Sequence, residues 1–444
     1  MERHPLPAKA ARRLAELAPD VVRHVDDAVA QGRPADVTLA AYFREHRELG
    51  ARDRRFLSDL LFSHYRWKGW TGGPDQAGLA ASCLLDAANL HPAAELLAQR
   101  AALPGGPRPL GAATLDEKAA ASAAWLGRPL GIESLVPDWF PSVLAQPSVA
   151  GGADPGSPRS PCFAKATQGR PTAATAHLAR CIASFQQRPP TWLRLKRGAE
   201  QNVLDDLARA EVRIISQVGP AVAVDGSSAL NALRGLARSR FEVQDLASQC
   251  VGRVCSPAPG QRWWDVCAGA GGKTLHLADL MEDRGHVLAT DVRPEALAEL
   301  RRRARRAGVS CIKVERRGSG RGGFDGVLVD APCSNIGTWS RNPDARWRTS
   351  ETDVQQRADV QSKLLRDAAD AVRPGGALVY SVCTVTSAET VGIIEPFLRG
   401  RPDFTLEPTV HPLHREPASG MIWIWPWQGP CDSMFIARMK KDAG

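Results

Sequence analysis

From about residue 241 onward, short apolar segments alternate with amphipathic segments of helical length. The segments with strand character are "RWWDV", "HVLAT", "CIKV", "FDGVLVD" and "ALVYSVCT". The segments with helical character are "KTLHLADLME", "PEALAELRRRARRAG" and "ETDVQQRADVQSKLLRDAADAV". Because such alternation builds parallel sheets with helices on both faces, the pattern predicts an α/β fold with a doubly wound sheet. A sheet of this kind binds its ligand at the carboxyl ends of the strands.

A glycine-rich loop, "DVCAGAGGKT", follows the first of these strands. A P-loop is excluded, because that motif places a glycine five residues before the glycine of its Gly-Lys-Thr, and Cys267 stands there. A dinucleotide loop fits in part. Gly269 and Gly271 match the first two glycines of G-x-G-x-x-G, whereas Thr274 replaces the third.

An acidic residue follows the second strand, where nucleotide-binding folds read the ribose hydroxyls. Asp291 lies after "HVLAT", roughly 20 residues beyond the loop, as this type of site requires. NAD and S-adenosylmethionine carry the same ribose. The loop and Asp291 therefore leave both cofactors open.

Two cysteines and an aspartate are expected at the same edge of the sheet. "FDGVLVDAPCSNIGTW" ends its strand with Asp330 and Cys333, and "ALVYSVCT" ends the next strand with Cys383. Hydride transfer has no use for two thiols there, whereas methylation of cytosine carbon-5 does. A thiolate adds to carbon-6 and makes carbon-5 nucleophilic, a carboxyl group stabilises the charge change on the ring, and a base then removes the displaced proton.

The motifs around these residues resemble the Sun/RsmB family of RNA cytosine-5 methyltransferases. The similar segments, within residues 185–440, are "QQRPPTWLRLKRG", "FEVQDLASQ", "DVCAGAGGKTLHLA", "DAPCSNIGTWSRNPDARW", "LVYSVCTVTSAE" and "DSMFIARMKK". The combination of DAPCS with SVCT is highly specific. Nearer the N-terminus, "ELGARDRRFLSDLLFSHYRWKG" is similar, less specifically, to the NusB-like RNA-binding domain of the ribosomal RNA members.

The resemblance implies a role for each matching residue. Cys383 is the implied nucleophile, Cys333 helps to release the methylated product, and Asp330 and Lys273 face the target pyrimidine. The residues implied to bind S-adenosylmethionine are Cys267, Ala268, Gly269, Ala270, Gly271, Gly272, Lys273, Asp291 and Asp330. Which of the two thiols attacks rests on the resemblance alone.

The sequence also departs from the family pattern. The family loop reads C-A-A-P-G-G-K, whereas Gly269 and Ala270 stand here in its third and fourth positions. After "CIKV", where the family has an acid for the adenine, the only candidate is Glu315. The family's D-G-F-F is Asp432-Ser433-Met434-Phe435 here, a change that we expect to alter packing only.

The preceding sequence predicts two further domains. Residues 1–128 form the expected all-α, NusB-like RNA-binding domain, residues 129–240 a small α+β module, and residues 241–444 the Rossmann-like catalytic domain. The module contains a loop rich in proline and glycine at residues 146–161. In the first domain, basic residues interleave with aromatic ones, which suits RNA but is equally typical of a solvated basic face. These basic residues are Arg52, Arg54, Arg55, Arg66 and Lys68.

Composition adds only broad limits. The net charge of +9 favours a polyanionic partner such as RNA, although biased composition could produce the same surplus. There is no apolar run of membrane-spanning length and no signal-peptide pattern, so we expect a cytoplasmic protein without membrane contact. The ten cysteines lack zinc-binding spacing and are expected to be reduced thiols, with no metal site and no obligate protein partner implied.

The expected function is transfer of a methyl group from S-adenosylmethionine to carbon-5 of a cytosine in RNA. Small-subunit ribosomal RNA is the favoured substrate, and transfer RNA remains open. One alternative is a non-catalytic RNA-binding or ribosome-assembly factor that retains the fold. The cysteine pair argues against it and the missing adenine-side acid argues weakly for it. An NAD-dependent dehydrogenase is the third possibility.

Overall fold

The structure is a computed structural model. It describes residues 8–87, 89–104, 106, 108–145, 173–225, 239–316 and 322–443. Contacts divide the chain into a helical unit, Met1–Gln186 with Pro343–Arg348, and a sheet unit, Gln187–Asn342 with Thr349–Gly444. The predicted loop 146–161 lies outside the described residues. The three-domain division of the chain stays a prediction.

The described part of the helical unit consists mainly of helices, as the amphipathic pattern of residues 8–128 predicts. Its helices are α1 (Ala8–Ala30), α2 (Ala35–Glu45), α3 (Ala51–Thr71), α4 (Gln76–Asp86), α5 (Pro92–Arg100), α6 (Leu115–Leu126), α7 (Phe140–Val143) and α8 (Ala173–Phe185). Leu14, Val21 and Val25 of α1 share one buried cluster with Phe56 and Leu60 of α3. Their spacing of three and four residues places them on one face of each helix, so that both faces are covered when the helices pack.

A short segment from late in the sequence completes the helical unit. Pro343–Arg348 contains one helical turn, Ala345–Arg348, and belongs to this unit by its contacts. Arg346 is fully buried and donates to the backbone oxygens of Leu135 (2.6 Å) and Phe185 (3.2 Å). Burying a guanidinium without hydrogen bonds carries a high free-energy cost. The bonds to these two carbonyl oxygens offset that cost and so hold the segment in place.

The sheet unit begins with a small antiparallel sheet. Its strands are β1 (Thr191–Leu195), β2 (Ile214–Val218), β3 (Ala221–Val224) and β4 (Phe241–Val243), in the order β2-β3-β1-β4. The helix Glu200–Arg209 connects β1 to β2, and its Val203 and Leu207 are buried against this sheet.

The larger sheet contains the five strands predicted from the alternating pattern. They are β5 (Arg262–Asp265), β6 (His286–Thr290), β7 (Ile312–Glu315), β8 (Phe324–Asp330) and β9 (Val372–Val382), and all pair in parallel. The predicted Rossmann-like α/β fold of this part of the chain is confirmed. The helices of this part of the unit are Leu246–Cys255, Gly272–Leu280, Pro294–Ala307, Glu351–Ala369 and Val391–Gly400.

The C-terminal strands make the sheet mixed rather than purely parallel. The C-terminal strands are, in chain order, β10 (Phe404–Leu406), β11 (Thr409–Val410), β12 (Pro417–Ala418), β13 (Met421–Ile424) and β14 (Met434–Lys441). The sheet order is β10-β14-β9-β8-β5-β6-β7, and β14 is antiparallel to β9, β10 and β13. The order reverses between β5 and β8, which are adjacent although β6 and β7 separate them in sequence. A ligand crevice is expected at such a switch point, beyond the carboxyl ends of the two strands.

Candidate active site

The glycine-rich loop joins β5 to the helix that begins at Gly272. Gly269 and Gly271 both have positive φ, +53° and +86°. A Cβ atom at Gly271 would lie 2.0 Å from Cδ1 of Leu300, on the neighbouring helix Pro294–Ala307. Glycine is therefore required there for two reasons, the left-handed backbone conformation and the close approach of this helix.

Asp291, directly after β6, binds this loop. The backbone N–H of Gly269 donates to its Oδ2 (2.8 Å), and Arg293 donates from its backbone N–H and Nε to Oδ1 (2.9 and 3.0 Å). Burial alone would raise the pKa of Asp291, but the hydrogen bonds from Arg293 and Gly269 outweigh it and lower the pKa. Asp291 is therefore an ionised acceptor at the edge of the loop.

These residues fit the adenosine part of S-adenosylmethionine. Among the described residues other than its chain neighbours, a Cβ atom built on Gly269 would have only Nη2 of Arg293 within 4 Å, at 3.3 Å. This arginine side chain is 60% exposed, so it can yield its bonds with Asp291 to a ribose diol. Glu315, the one candidate for the adenine-side acid that the family pattern leads us to look for, ends β7 and pairs with Lys313 (2.7 Å).

Lys273 and Asp330 form the polar centre of the site. Lys273 Nζ lies 2.7 Å from Asp330 Oδ2, and Ser381 Oγ donates to Asp330 Oδ1 at 2.7 Å. Burial opposes the charge on Lys273, but Asp330, followed by Cys383 and Asp265, reverses this effect and raises the pKa of Lys273. The lysine is thus held as an ammonium, with a carboxylate at its side and the Cys383 thiol within electrostatic reach.

The two cysteines predicted to act together are in contact. Their Sγ atoms are 3.5 Å apart, although the residues are 50 positions apart in the sequence. Cys333 is buried, whereas Cys383 is partly exposed. The hydrogen bond with Cys383, reinforced by burial, raises the pKa of Cys333 well above its usual value. Cys333 is therefore a neutral thiol, and Cys383 is the thiol that a substrate can reach.

Cys267 is unsuited to act as a nucleophile. It follows β5 at the start of the loop, and burial, reinforced by the carboxylates of Asp265, Asp330 and Asp291, raises its pKa above the usual value for a thiol. Because a thiol reacts as its thiolate, this environment favours a role in shaping the loop.

Our sequence analysis did not identify Asn335. Its side-chain Oδ1 lies 3.1 Å from Sγ of Cys383 and 3.6 Å from Sγ of Cys333, and its φ is +58°. Asparagine tolerates this left-handed conformation better than most residues. In the sequence, only its position two residues after Cys333 could have indicated that Asn335 lies at the site.

The segment that replaces the family's D-G-F-F contacts the loop that follows Cys333. The backbone N–H of Ser433 donates to the Gly337 oxygen (2.9 Å), and the Gly337 N–H donates to the Cys383 oxygen (3.0 Å). Asp432 faces Arg341, with 3.5 Å between Oδ1 and Nε. This segment therefore supports the backbone beside both cysteines.

The basic residues of α3 have different environments. Arg66 is buried and pairs with Asp86 (3.1 Å), Lys68 pairs with Asp26 (2.6 Å), and Arg54 donates from Nε to the Leu49 oxygen (2.8 Å). Arg52 and Arg55, in contrast, are exposed. Of this group, only these last two side chains offer a solvated charge for RNA.

The described ranges contain neither a metal-binding cluster nor a membrane-spanning helix. In the described ranges, no three or more histidine, cysteine, aspartate or glutamate side chains are grouped so that they could hold a metal ion. No helix within those ranges has the length and hydropathy needed to cross a membrane.

Part of the chain is similar in sequence to a known family and to named relatives. Residues 253–440 match the sequence model of a family described as "16S rRNA methyltransferase RsmB/F". A protein named "Probable ribosomal RNA small subunit methyltransferase B" from Synechocystis sp. is 34% identical over 275 residues, which cover 58% of this chain and 62% of that protein. A Bacillus subtilis protein of the same name is 33% identical over 214 residues, which cover 45% of this chain and 47% of that protein.

A solved structure shares the fold. The crystal structure of PH0851 superposes with a TM-score of 0.68 at 21% identity, and the match covers 95% of this chain and 99% of that one. At this level of identity the likeness concerns the fold alone. The match with the Synechocystis protein spans only about three fifths of that protein's length. The likeness to the RsmB/F family therefore rests on the matched sequence of residues 253–440, which carry that family's sequence pattern.

Proposed function

We propose that this protein transfers a methyl group from S-adenosylmethionine to carbon-5 of a cytosine in RNA, and that the RNA is small-subunit ribosomal RNA. The observation that carries the proposal is the pair of thiols, 3.5 Å apart, at the same strand ends as the Lys273–Asp330 pair. Carbon-5 of cytosine is a poor nucleophile until a thiolate adds to carbon-6, so the reaction requires a reachable thiol. The names of the two relatives support the choice of ribosomal RNA.

Addition starts at Cys383, the more exposed of the two thiols. Its Sγ, as the thiolate, forms a bond to carbon-6. The π electron pair of the carbon-5–carbon-6 double bond is thereby displaced and becomes available at carbon-5. Lys273 supplies positive charge beside Cys383, and Asp330, held by Ser381, is oriented to hydrogen-bond the ring. These groups stabilise the charge that develops on the pyrimidine.

S-Adenosylmethionine, when bound, supplies an electrophilic methyl group. Asp291 and the backbone of residues 267–272 would hold its adenosine part. After transfer, carbon-5 carries both hydrogen and methyl. Solvent water takes that proton, the electron pair of the broken carbon–hydrogen bond restores the carbon-5–carbon-6 double bond, and the carbon-6–sulfur bond breaks to release the Cys383 thiolate. The neutral thiol of Cys333, 3.5 Å from Cys383 Sγ, is placed to assist this departure.

The test of this proposal is methyl incorporation into small-subunit ribosomal RNA prepared without modifications. We expect the wild-type protein to transfer radiolabelled methyl groups, with bisulfite sequencing locating a single cytosine. Cys383→Ala should lose this activity and still bind S-adenosylmethionine in calorimetry. Wild-type protein that binds the cofactor and RNA but methylates neither ribosomal nor transfer RNA would favour the non-catalytic RNA-binding alternative. Turnover by Cys383→Ala would contradict its assignment as nucleophile.

A further inference from the structure

Glu389 is a carboxylate buried next to the candidate active site. It is 0% exposed and lies just before the helix Val391–Gly400. Its Oε1 accepts from the backbone N–H of Ser334 (2.8 Å) and from Gln361 Nε2 (2.9 Å). Its Oε2 accepts from the hydroxyls of Ser334 (2.5 Å), Thr386 (2.9 Å) and Thr384 (3.1 Å). A buried charge is tolerated only when hydrogen bonds replace its hydration, and these donors do so.

The donors are the immediate neighbours of both cysteines. Ser334 follows Cys333 and Thr384 follows Cys383, and their hydroxyl oxygens lie 2.8 Å apart. Glu389 therefore binds the two cysteine-bearing segments at once, one residue beyond each thiol. Because Glu389 holds the residue directly after each cysteine, each thiol has little freedom to move away from the other.

Further hydrogen bonds hold Glu389 in place. Tyr380 O–H donates to the Glu389 backbone oxygen (2.7 Å), and Gln361 Nε2 also donates to the Pro332 oxygen (3.0 Å). Gln361 belongs to the helix Glu351–Ala369, so the network anchors both cysteine segments to a long helix of the same unit. These bonds fix the position of Glu389 itself.

We infer that Glu389 is a positioning residue, which sets the separation and direction of the Cys333 and Cys383 thiols. This inference rests on the proposed function for its catalytic meaning, because addition by one thiol and release assisted by the other require both to be held within a fraction of an ångström. A displacement of about 1 Å in such a site can lower turnover by about 100-fold.

Two substitutions separate hydrogen bonding from charge. In Glu389→Gln, the amide oxygen can replace Oε1 and accept from the Ser334 N–H and Gln361. The amide NH₂ then faces three hydroxyls, which can rotate and accept. Glu389→Ala removes all of these bonds. Glu395→Gln, at an exposed position on the following helix, is the matched control.

The first readout does not depend on catalysis. Phenylarsine oxide, PhAsO, condenses with two adjacent thiols to a cyclic dithioarsenite and one water, and peptide mapping identifies the bridged cysteines. Wild type, Glu389→Gln and Glu395→Gln should bridge Cys333 to Cys383 at similar rates. Glu389→Ala should do so at least 10-fold more slowly while it still binds S-adenosylmethionine. Should Glu389→Ala fail to fold, Thr384→Val removes the hydroxyl contacts with Glu389 and Ser334 with little change in shape and should slow bridging to a smaller degree.

The second readout is methylation. Glu389→Ala should lower kcat about 100-fold with KM for RNA within about threefold, and Glu389→Gln should restore kcat to within about 10-fold of wild type. A folded Glu389→Ala that bridges as fast as wild type would overturn the inference. So would a Glu389→Gln variant as slow as Glu389→Ala. If wild type itself does not methylate, the proposed function fails, while the arsenical rates still decide whether Glu389 positions the thiols.

Discussion

Gly271→Ala should destabilise the sheet unit and weaken cofactor binding. The added Cβ would meet Leu300 Cδ1 at 2.0 Å and its Cγ at 3.0 Å. Leu300 is fully buried in a cluster with Ala268 and Ala289, so it has no solvent to move into. The left-handed backbone of Gly271 costs alanine about 1–2 kcal/mol, and overpacking adds about 1–3 kcal/mol. We expect a total loss of about 2–5 kcal/mol in the free energy of unfolding.

Gly308→Ala is the matched control for the backbone cost. Gly308 is the C-cap of the same helix with φ +66°, and a Cβ there would have no heavy atom of the described residues within 4 Å apart from its chain neighbours. Its substitution should cost only about 1–2 kcal/mol. The difference between the two variants therefore measures the contact with Leu300, and the double variant Gly271→Ala/Leu300→Ala should show that the two costs are not additive.

The assay is urea denaturation followed by tryptophan fluorescence, because Trp263 and Trp264 of β5 are buried beside the loop. Calorimetric titration with S-adenosylmethionine follows the function of the loop. We expect weaker binding by Gly271→Ala, because Cβ and Cδ1 can reach normal contact only if the loop or the helix shifts by about 1 Å or more. Equal losses of stability in Gly271→Ala and Gly308→Ala would refute the steric argument.

Three further predictions concern catalysis, pH dependence and RNA binding. Cys333→Ala should accumulate a protein–RNA adduct through Cys383 that survives denaturing gels, and an adduct seen only when Cys383 is replaced would reverse the two roles. Burial raises the pKa of Asp265 to about 7, so the folded protein binds this proton more tightly than the unfolded chain. Its contribution to stability is complete below about pH 4 and is lost as the pH rises to about 7. Compared with Asp265→Asn, the wild type should lose stability across this range in urea titrations, and parallel profiles would show that Asp265 does not titrate there. Charge reversal at both Arg52 and Arg55 should reduce the salt slope of RNA affinity by up to about two units, and an unchanged slope would mean that these side chains contact no phosphate.

The strands and helices of the sheet unit could be located from the sequence because they depend on local periodicity. Side chains alternate across a strand and recur every three or four residues along a helix, so "FDGVLVD" and "PEALAELRRRARRAG" indicate their conformations without knowledge of their partners. The same local logic placed Asp291, Asp330 and Cys383 at carboxyl ends of parallel strands, which must meet at one edge of the sheet. The candidate site was therefore largely predictable as a set of residues.

Pairings between distant residues were decided by the tertiary structure. The position of β14 beside β9 and antiparallel to it was not predicted, since its pattern is compatible with any partner strand. Arg66 is part of a basic stretch in the sequence, yet it is buried against Asp86, 20 residues away, and is not available to RNA. Charge in the sequence does not reveal which side chains an internal carboxylate will neutralise.

Glu389 also shows the difference between what the sequence predicts and what the tertiary structure decides. In the sequence it is one acidic residue after "SVCTVTSA", with no spacing that links it to Ser334, 55 positions earlier. Only the parallel pairing of β8 with β9 brings the two cysteine segments side by side and encloses the carboxylate between their hydroxyls. The sequence by itself determined which residues follow the strand ends at the candidate site, because strand ends follow from local pattern. The tertiary structure decided how far apart the thiols are and what holds them there, because those distances depend on packing between segments that are remote in the chain.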